Sequence, residues 1–285
     1  MKRVVLFGTM GAYTSAFSRA LAPHVELLAC FVRRPVRGFI PHLLRHRAVP
    51  VEALAFACPV YSLGDYSADA TYLHLRRRFS ADLAISVGFP RALPVPQLQS
   101  LARLGALNLH PALLPHNPGP CPIFWSLKRG ENESGVSLHL LTEQLDAGDI
   151  LLSAKTSLQA GATGTQLFEQ LGLLGGELVV NHLPMLLSGE WPLQRQGEPG
   201  SWAHKPKHID MGIVPTEWKA RSLFDFVRGS RAFGVPWANL ADDVYYFRDA
   251  LDFEEGRRIP GEFVLHRGEL TVAVQDGTVR MLLHT

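Results

Sequence analysis

Cysteine is scarce in this 285-residue chain: Cys30, Cys58 and Cys121 are odd in number and lack the spacing of a metal site. That excludes a disulfide framework and leaves reduced, buried thiols in a cytosolic protein as the expectation. Long apolar runs are missing too, since no segment approaches the roughly 20 residues of a membrane span. The apolar run behind Lys2 and Arg3 covers residues 4–7 and stops at Gly8, too short for a secretory signal, so it reads as a first strand. The chain is therefore expected to be cytoplasmic, with no membrane partner. There is no surplus of charge of one sign. Lys and Arg number 28 against 26 Asp and Glu, a net charge of +2, which does not demand a nucleic-acid partner. Internal repeats, low-complexity tracts and a GxGxxG fingerprint are also absent.

Hydrophobic residues make up 47% and charged residues 19%, the balance of a chain folded throughout. Short apolar runs at 4–7, 27–32, 83–87 and 105–109 alternate with helical patterns, beginning with one at 13–21. Strands separated by helices indicate βαβ units and a parallel sheet. Further strands are expected at 136–140 and 150–156, then a long amphipathic helix over 163–187 opened by the Thr163 cap. From 188 to 207 the texture turns to Gly, Pro, Gln and Trp without a sustained period, as in a linker. Beyond it lie a helical stretch at 219–233 and short strands at 244–247, 261–265, 270–274 and 279–283, with turn signals at 266–268 and at Asp276-Gly277. The expected fold is α/β: a Rossmann-like parallel-sheet domain over 1–190, a linker at 191–207, and a smaller, mainly β domain over 208–285.

The turn FGTMGAYTSAF at 7–17 joins the first strand to a helix with Gly8 and Gly11, and fits either an anion site or a plain tight turn. The informative stretch is LNLHPALLPHNPGPCPIFWSLKRGENESGVSLHLLTEQLDAGDIL, residues 107–151. Asn108 and His110 are two apart at a strand end, so both side chains leave the same face. Carboxyl ends of parallel strands are where α/β sheets place ligands. A proline-rich irregular loop follows at 110–122, and Asp146 sits in the turn LDAGDI before the next strand. An amide, an imidazole and a carboxylate, with no nucleophilic Ser or Cys and no metal spacing, suit direct acyl transfer to an amine. The amide and an imidazolium can donate to a developing oxyanion, and a neighbouring carboxylate raises the imidazole pKa and can position a proton-shuttling water. Each residue alone also fits a duller role: a strand-end cap, a satisfied core histidine, a turn aspartate.

NLHPALLPHNPGPCPIFWSLKRGE and SGVSLHLLTEQLDAGDIL resemble the signature of the 10-formyltetrahydrofolate-dependent formyltransferases, over roughly residues 1–190. The resemblance implies 10-formyltetrahydrofolate as co-substrate and no metal. It places the family's catalytic asparagine, histidine and aspartate on Asn108, His110 and Asp146: the first two stabilise the tetrahedral intermediate, and the third holds the histidine or a water for proton transfer. ADLAISVGFPRALP, residues 81–94, is similar to the family's pterin clamp. This implies main-chain recognition around Arg91 and Leu93, an apolar wall from Phe89 and Leu93, and closure by the loop from Thr142 to Leu145.

More weakly, AHKPKHIDM, RGSRAFGVPWA and the later strands resemble the C-terminal domain of methionyl-tRNA formyltransferases. Two departures stand out. The first turn lacks the Gly-Thr-Pro-x-Phe-Ala pattern of the tRNA enzymes. The tail is not basic: from Gln196 onward 11 Lys+Arg face 13 Asp+Glu, a balance of −2, where phosphate contacts would need a positive face. The GPCPIFW stretch looks more like sugar and natural-product formyltransferases. The expected acceptor is therefore a small-molecule amine, an amino sugar or an amino-acid-derived intermediate. Methionyl-tRNA formylation and folate-dependent hydrolysis remain as alternatives. The arginine cluster at Arg33, Arg34, Arg37, Arg45 and Arg47 fits a solvated face or an anion contact. Oligomeric state is not legible.

Overall fold

The structure is a computed structural model that describes residues 2–9, 11–33, 55–63, 69–90 and 93–284. It divides into two compact units: Met1–Gly119, Gly135–Thr156 and Phe168–Trp202 form the first, and Pro120–Ser134, Ser157–Leu167 and Ala203–Thr285 the second. Residues 191–207, read as a linker, thus belong to the first unit as far as Trp202 and to the second from Ala203.

The first unit is built on a seven-stranded sheet. Its strands are β1 (Arg3–Gly8), β2 (Glu26–Val32), β3 (Val60–Ser62), β4 (Leu83–Val87), β5 (Ala106–His110), β6 (Glu133–Leu140) and β7 (Ile150–Ser157), in spatial order β3-β2-β1-β4-β5-β6-β7. Pairing is parallel from β3 through β5. Val4 to Phe7 and all of β4 are buried, which is why they read as unbroken apolar runs: both faces of a central parallel strand are covered. The order reverses between β1 and β4, and the carboxyl ends beside such a reversal are where open α/β sheets hold ligands. β6 departs from the parallel expectation by pairing antiparallel with β5, so the sheet is mixed.

Helices α1 (Ala12–Leu21), α2 (Asp69–Phe79) and α3 (Val95–Leu101) link the parallel strands. The turn after β1 is tied inward. Thr14 Oγ1 donates to the Val87 carbonyl at 2.8 Å and accepts the Thr9 N–H at 3.1 Å, and a Cβ on Gly8 would overlap the Thr14 methyl. That Thr9 N–H is consequently not available to an anion. The long helix expected over 163–187 is two helices, α5 (Gly164–Asn181) and α6 (Leu183–Ser188). Pro184 in the first turn of α6 has no N–H to continue the ladder, which accounts for the break. α5 lies close against its neighbours through three of its four glycines: a Cβ on Gly172 would overlap the Tyr13 carbonyl, one on Gly175 Leu109, and one on Gly176 Ala20.

In the second unit, the short helix α4 (Pro122–Lys128) and α7 (Ala220–Gly229) accompany a six-stranded sheet. Its strands are β8 (Gly212–Ile213), β9 (Trp237–Leu240), β10 (Asp243–Glu255), β11 (Phe263–His266), β12 (Glu269–Val274) and β13 (Gly277–Leu283), ordered β11-β12-β13-β10-β9-β8. The expected strands at 244–247, 270–274 and 279–283 are found as parts of β10, β12 and β13, and the one at 261–265 overlaps β11, which begins at Phe263, whereas β8 and β9 carried no clear signal. Arg267 and Gly268 both take positive φ, the backbone of a tight hairpin turn, as the sequence suggested. Lys128 donates to the Gly212 carbonyl at 2.6 Å and lies over the Trp218 and Phe226 rings at 5.3 and 5.1 Å, where burial lowers its pKa.

Cys30, Cys58 and Cys121 are free thiols; Cys30 is buried and the other two half-buried. Burial pushes the Cys58 thiol up to about 12. Among the described residues no helix is long and apolar enough to cross a membrane, and no group of three or more His, Cys, Asp or Glu is arranged to hold a metal ion.

Candidate active site

The polar residues at the carboxyl end of β5 follow from its pattern. Leu107 and Leu109 are fully buried on one face of the strand, while Asn108 and His110 leave the other, which they share with the buried Ala106. β6 runs antiparallel beside it, which sets Asn108 opposite His139 and His110 opposite Ser137. Ser137 Oγ donates to the Ala112 carbonyl at 2.8 Å and accepts the Leu114 N–H at 3.0 Å, pinning the proline-rich loop that follows His110. The loop returns Asn117, at φ 55°, so that its carbonyl accepts a hydrogen bond from His110 Nε2 at 2.9 Å.

Asp146 reaches this place from the turn between β6 and β7. Its φ of 54° lies in the left-handed region, which short polar side chains tolerate best. Gln196 Nε2 clamps the turn by donating to the Asp146 carbonyl at 2.9 Å and the Gly148 carbonyl at 2.6 Å. The carboxylate is a hub. Oδ2 accepts the Gly119 N–H at 2.8 Å and lies 3.6 Å from His110 Nδ1; Oδ1 lies 3.4 Å from Asn108 Nδ2 and 3.7 Å from His139 Nε2. Asn108, His110 and Asp146, separated in sequence, are thus brought within contact range of one another, all in the first unit. His139 joins them although sequence reasoning did not single it out. The only signal available was its place in β6 two residues beyond Ser137, and its meaning depends on the cross-strand register.

Burial sets the charges. It is the largest influence on Asp146 and opposes ionisation, but His110, His139 and the Gly119 N–H together hold the carboxyl below its ordinary value. For His110 burial also comes first and wins: the imidazole lies below its ordinary value although Asp146 and the Asn117 carbonyl both pull upward. The expectation of a raised histidine pKa is therefore corrected. The carboxylate acts in the anticipated direction, but a side chain only 5% exposed loses more hydration of its cation than the ion pair at 3.6 Å returns. Because a carbonyl can only accept, the Asn117 contact keeps a proton on Nε2 and leaves Nδ1 facing Asp146. Tyr13 backs the site. Its hydroxyl donates to the Leu109 carbonyl at 3.2 Å, and burial, reinforced by the Asp146 charge, keeps it protonated.

The residues expected around the pterin are only partly placed. Leu93 is buried, and Phe89 packs against the same core, its ring 6.2 Å from that of Phe7. Leu141 packs on that core too, so the loop that begins at Thr142 starts on this side of the sheet. Thr142 is exposed and donates to the Gln144 carbonyl at 2.7 Å; Leu145 is exposed. Arg91 lies outside the described residues, as do Arg34, Arg37, Arg45 and Arg47.

Comparison with known proteins agrees on the kind of enzyme. The family described as formyl transferase matches residues 58–183. A methionyl-tRNA formyltransferase from Chlorobium limicola is 31% identical over 82% of this chain and 74% of its own length. Among solved structures, HypX from Aquifex aeolicus superposes with a TM-score of 0.65 at 17% identity over 99% of this chain, which spans 44% of that protein. The N-formyltransferase from Helicobacter canadensis, solved with folinic acid and dTDP-3-aminofucose, superposes with a TM-score of 0.64 at 13% identity over 99% of both chains. Sequence and fold together make this chain an enzyme that belongs to the 10-formyltetrahydrofolate-dependent formyltransferase family.

Proposed function

We propose that this enzyme transfers the formyl group of 10-formyltetrahydrofolate to the amine of a small molecule, with Asn108, His110 and Asp146 as its catalytic centre. The observation that carries the reading is the convergence of those three side chains at the end of β5, with Asp146 between the other two. The amine attacks the formyl carbon, the new C–N bond forms, and the carbon–N10 bond of the folate breaks. The amine proton ends on the departing N10, giving a formamide and tetrahydrofolate. The Asn108 amide donates to the oxygen that becomes anionic in the intermediate; losing such a donor costs about 10²–10³ in rate. His110, held neutral by burial, can take up the proton released by the amine, and the ionised Asp146 stabilises the imidazolium so formed. Phe89, Arg91 and Leu93, with Thr142 and Leu145 opposite, are proposed to hold the pterin.

A small acceptor is supported by the charge of the tail, −2 from Gln196 onward, which gives no overall positive face for phosphates. The second reading, methionyl-tRNA as acceptor, is favoured by the activity of the Chlorobium limicola relative. A direct comparison tests them: 10-formyltetrahydrofolate with either dTDP-3-aminofucose, as a representative nucleotide-linked amino sugar, or methionyl-tRNA, at 50 and 200 mM salt. The proposal expects formylation of a small amine with little salt dependence. Preferred formylation of methionyl-tRNA, with affinity falling about 10³–10⁵-fold across that range, would replace it with the second reading.

A further inference from the structure

We propose that His139 is a positioning residue that fixes the plane of the Asn108 amide; the inference rests on the catalytic reading of Asn108 given above. His139 is 1% exposed and faces Asn108 directly across the β5–β6 pair. Its Nδ1 lies 2.8 Å from the Leu140 carbonyl, which can only accept, and its Nε2 faces Asn108 Nδ2, which can only donate, so the ring hydrogen is on Nδ1 and Nε2 presents a lone pair. That lone pair meets Asn108 Nδ2 at 3.0 Å. The amide nitrogen has two hydrogens, and the structure treats them unequally. One is held by His139 at good hydrogen-bond distance; the other reaches Asp146 Oδ1 at 3.4 Å, the long end of the range.

The asymmetry has a chemical use. An asparagine at a strand end can turn about its last torsion, and that terminal torsion is soft. Anchored through one hydrogen by His139, the amide keeps its plane, and the second hydrogen is the one that a formyl oxygen captures as charge develops, in exchange for its weak contact with Asp146. An amide fixed in advance stabilises the intermediate without reorganising during the reaction. Without His139 both hydrogens could settle on the carboxylate, and the amide would point away from the folate.

The test uses the full-length enzyme and three substitutions. His139→Gln places an amide oxygen near the position of Nε2 and can still accept. His139→Asn is too short to reach Asn108, and His139→Leu fills the volume without an acceptor. Turnover is followed as tetrahydrofolate formed from 10-formyltetrahydrofolate with whichever of dTDP-3-aminofucose and methionyl-tRNA is formylated. The Asn108 side-chain amide resonances are followed by NMR with and without 5-formyltetrahydrofolate, a readout that needs no acceptor.

His139→Leu and His139→Asn are expected to lower kcat by up to about 10²-fold, the cost of a misplaced catalytic group, with the KM for the folate little changed. His139→Gln should restore most of the loss. The Asn108 amide signals should shift in the Leu and Asn variants and return in Gln. Combined with Asn108→Ala, His139→Leu should cost nothing further. If His139→Leu misfolds, the contrast between Gln and Asn carries the test. Wild-type kcat in His139→Asn, equal losses in Gln and Asn, or a loss that multiplies onto Asn108→Ala would overturn the inference alone. An Asn108→Ala enzyme with wild-type kcat would overturn the catalytic reading beneath it.

Discussion

Asp146→Asn is the most informative single substitution because it changes charge and little else. Asparagine tolerates the positive φ of 54° as well as aspartate does, so the turn clamped by Gln196 should persist. Only one orientation of the new amide is acceptable: its oxygen must face the Gly119 N–H, now 2.8 Å from Oδ2. That sets its NH2 against the NH2 of Asn108, a contact of two donors where a donor met an acceptor at 3.4 Å. Replacing a charged acceptor by a neutral one lowers a hydrogen bond from about 1.5–3 to about 0.5–1.5 kcal/mol, so the fold should lose about 1 kcal/mol at neutral pH. Asp146 has a lowered folded pKa, so its contribution is complete above the ordinary value of 3.8 and disappears as pH falls through the lower folded value. The stability gap between wild type and variant should close in acid. Activity should fall more, by about 10²–10⁴, the range for a lost acid–base partner. Because Asp146 pulls the His110 pKa upward, removing it should move that pKa further down. Thermal melts, kcat/KM profiles and NMR titration of the His110 ring measure all three. An unchanged or raised His110 pKa, or a variant that keeps more than a tenth of wild-type kcat/KM, would refute the electrostatic reasoning.

Three further outcomes are expected. His110 is held below its ordinary 6.5, so the unfolded chain binds its proton first; stability should be full above 6.5 and fall as pH drops toward the lower folded value, a slope that His110→Gln should flatten in pH-dependent melts. Gln196→Leu removes two hydrogen bonds to the carbonyls of Asp146 and Gly148, and should cost about 1–3 kcal/mol and speed amide exchange in 143–148; unchanged exchange there would remove Gln196 as the clamp. Gly172→Ala puts a methyl into the Tyr13 carbonyl and should cost about 1–3 kcal/mol by overpacking, whereas Gly197→Ala, with open space around its Cβ, serves as a neutral control in the same melts.

The parts legible in the sequence were those written in short-range pattern. The apolar runs of β1, β4 and β5 announced a parallel sheet because strands covered on both faces have little choice of residue. Asn108 and His110 were visible as the polar exceptions at the end of such a run, and Asp146 as an acidic residue in a turn before a strand. What escaped depends on partners distant in the chain. His139 has meaning only through the antiparallel register that sets it against Asn108. Gln196 looked like linker because nothing local says that its amide spans two carbonyls about 50 residues earlier. The direction of the His110 shift is not legible in the sequence, because the neighbouring carboxylate is readable from motif spacing but depth of burial is not. The apolar periodicity over 163–187 runs on through Pro184, whose missing N–H breaks the helix there.

The central claim, that Asn108, His110 and Asp146 move a formyl group from folate to an amine, is tested most directly by following a labelled formyl group. Wild-type enzyme, Asn108→Ala, His110→Ala and Asp146→Asn are each incubated with labelled 10-formyltetrahydrofolate and the formylated member of the acceptor pair, and label on the amine is counted against free formate. The account predicts label on the amine, with one tetrahydrofolate formed per formyl moved by the wild type, and transfer lowered at least about 10²-fold in each variant. Label recovered only as formate would make the enzyme a hydrolase, and transfer undiminished in all three variants would place the chemistry elsewhere.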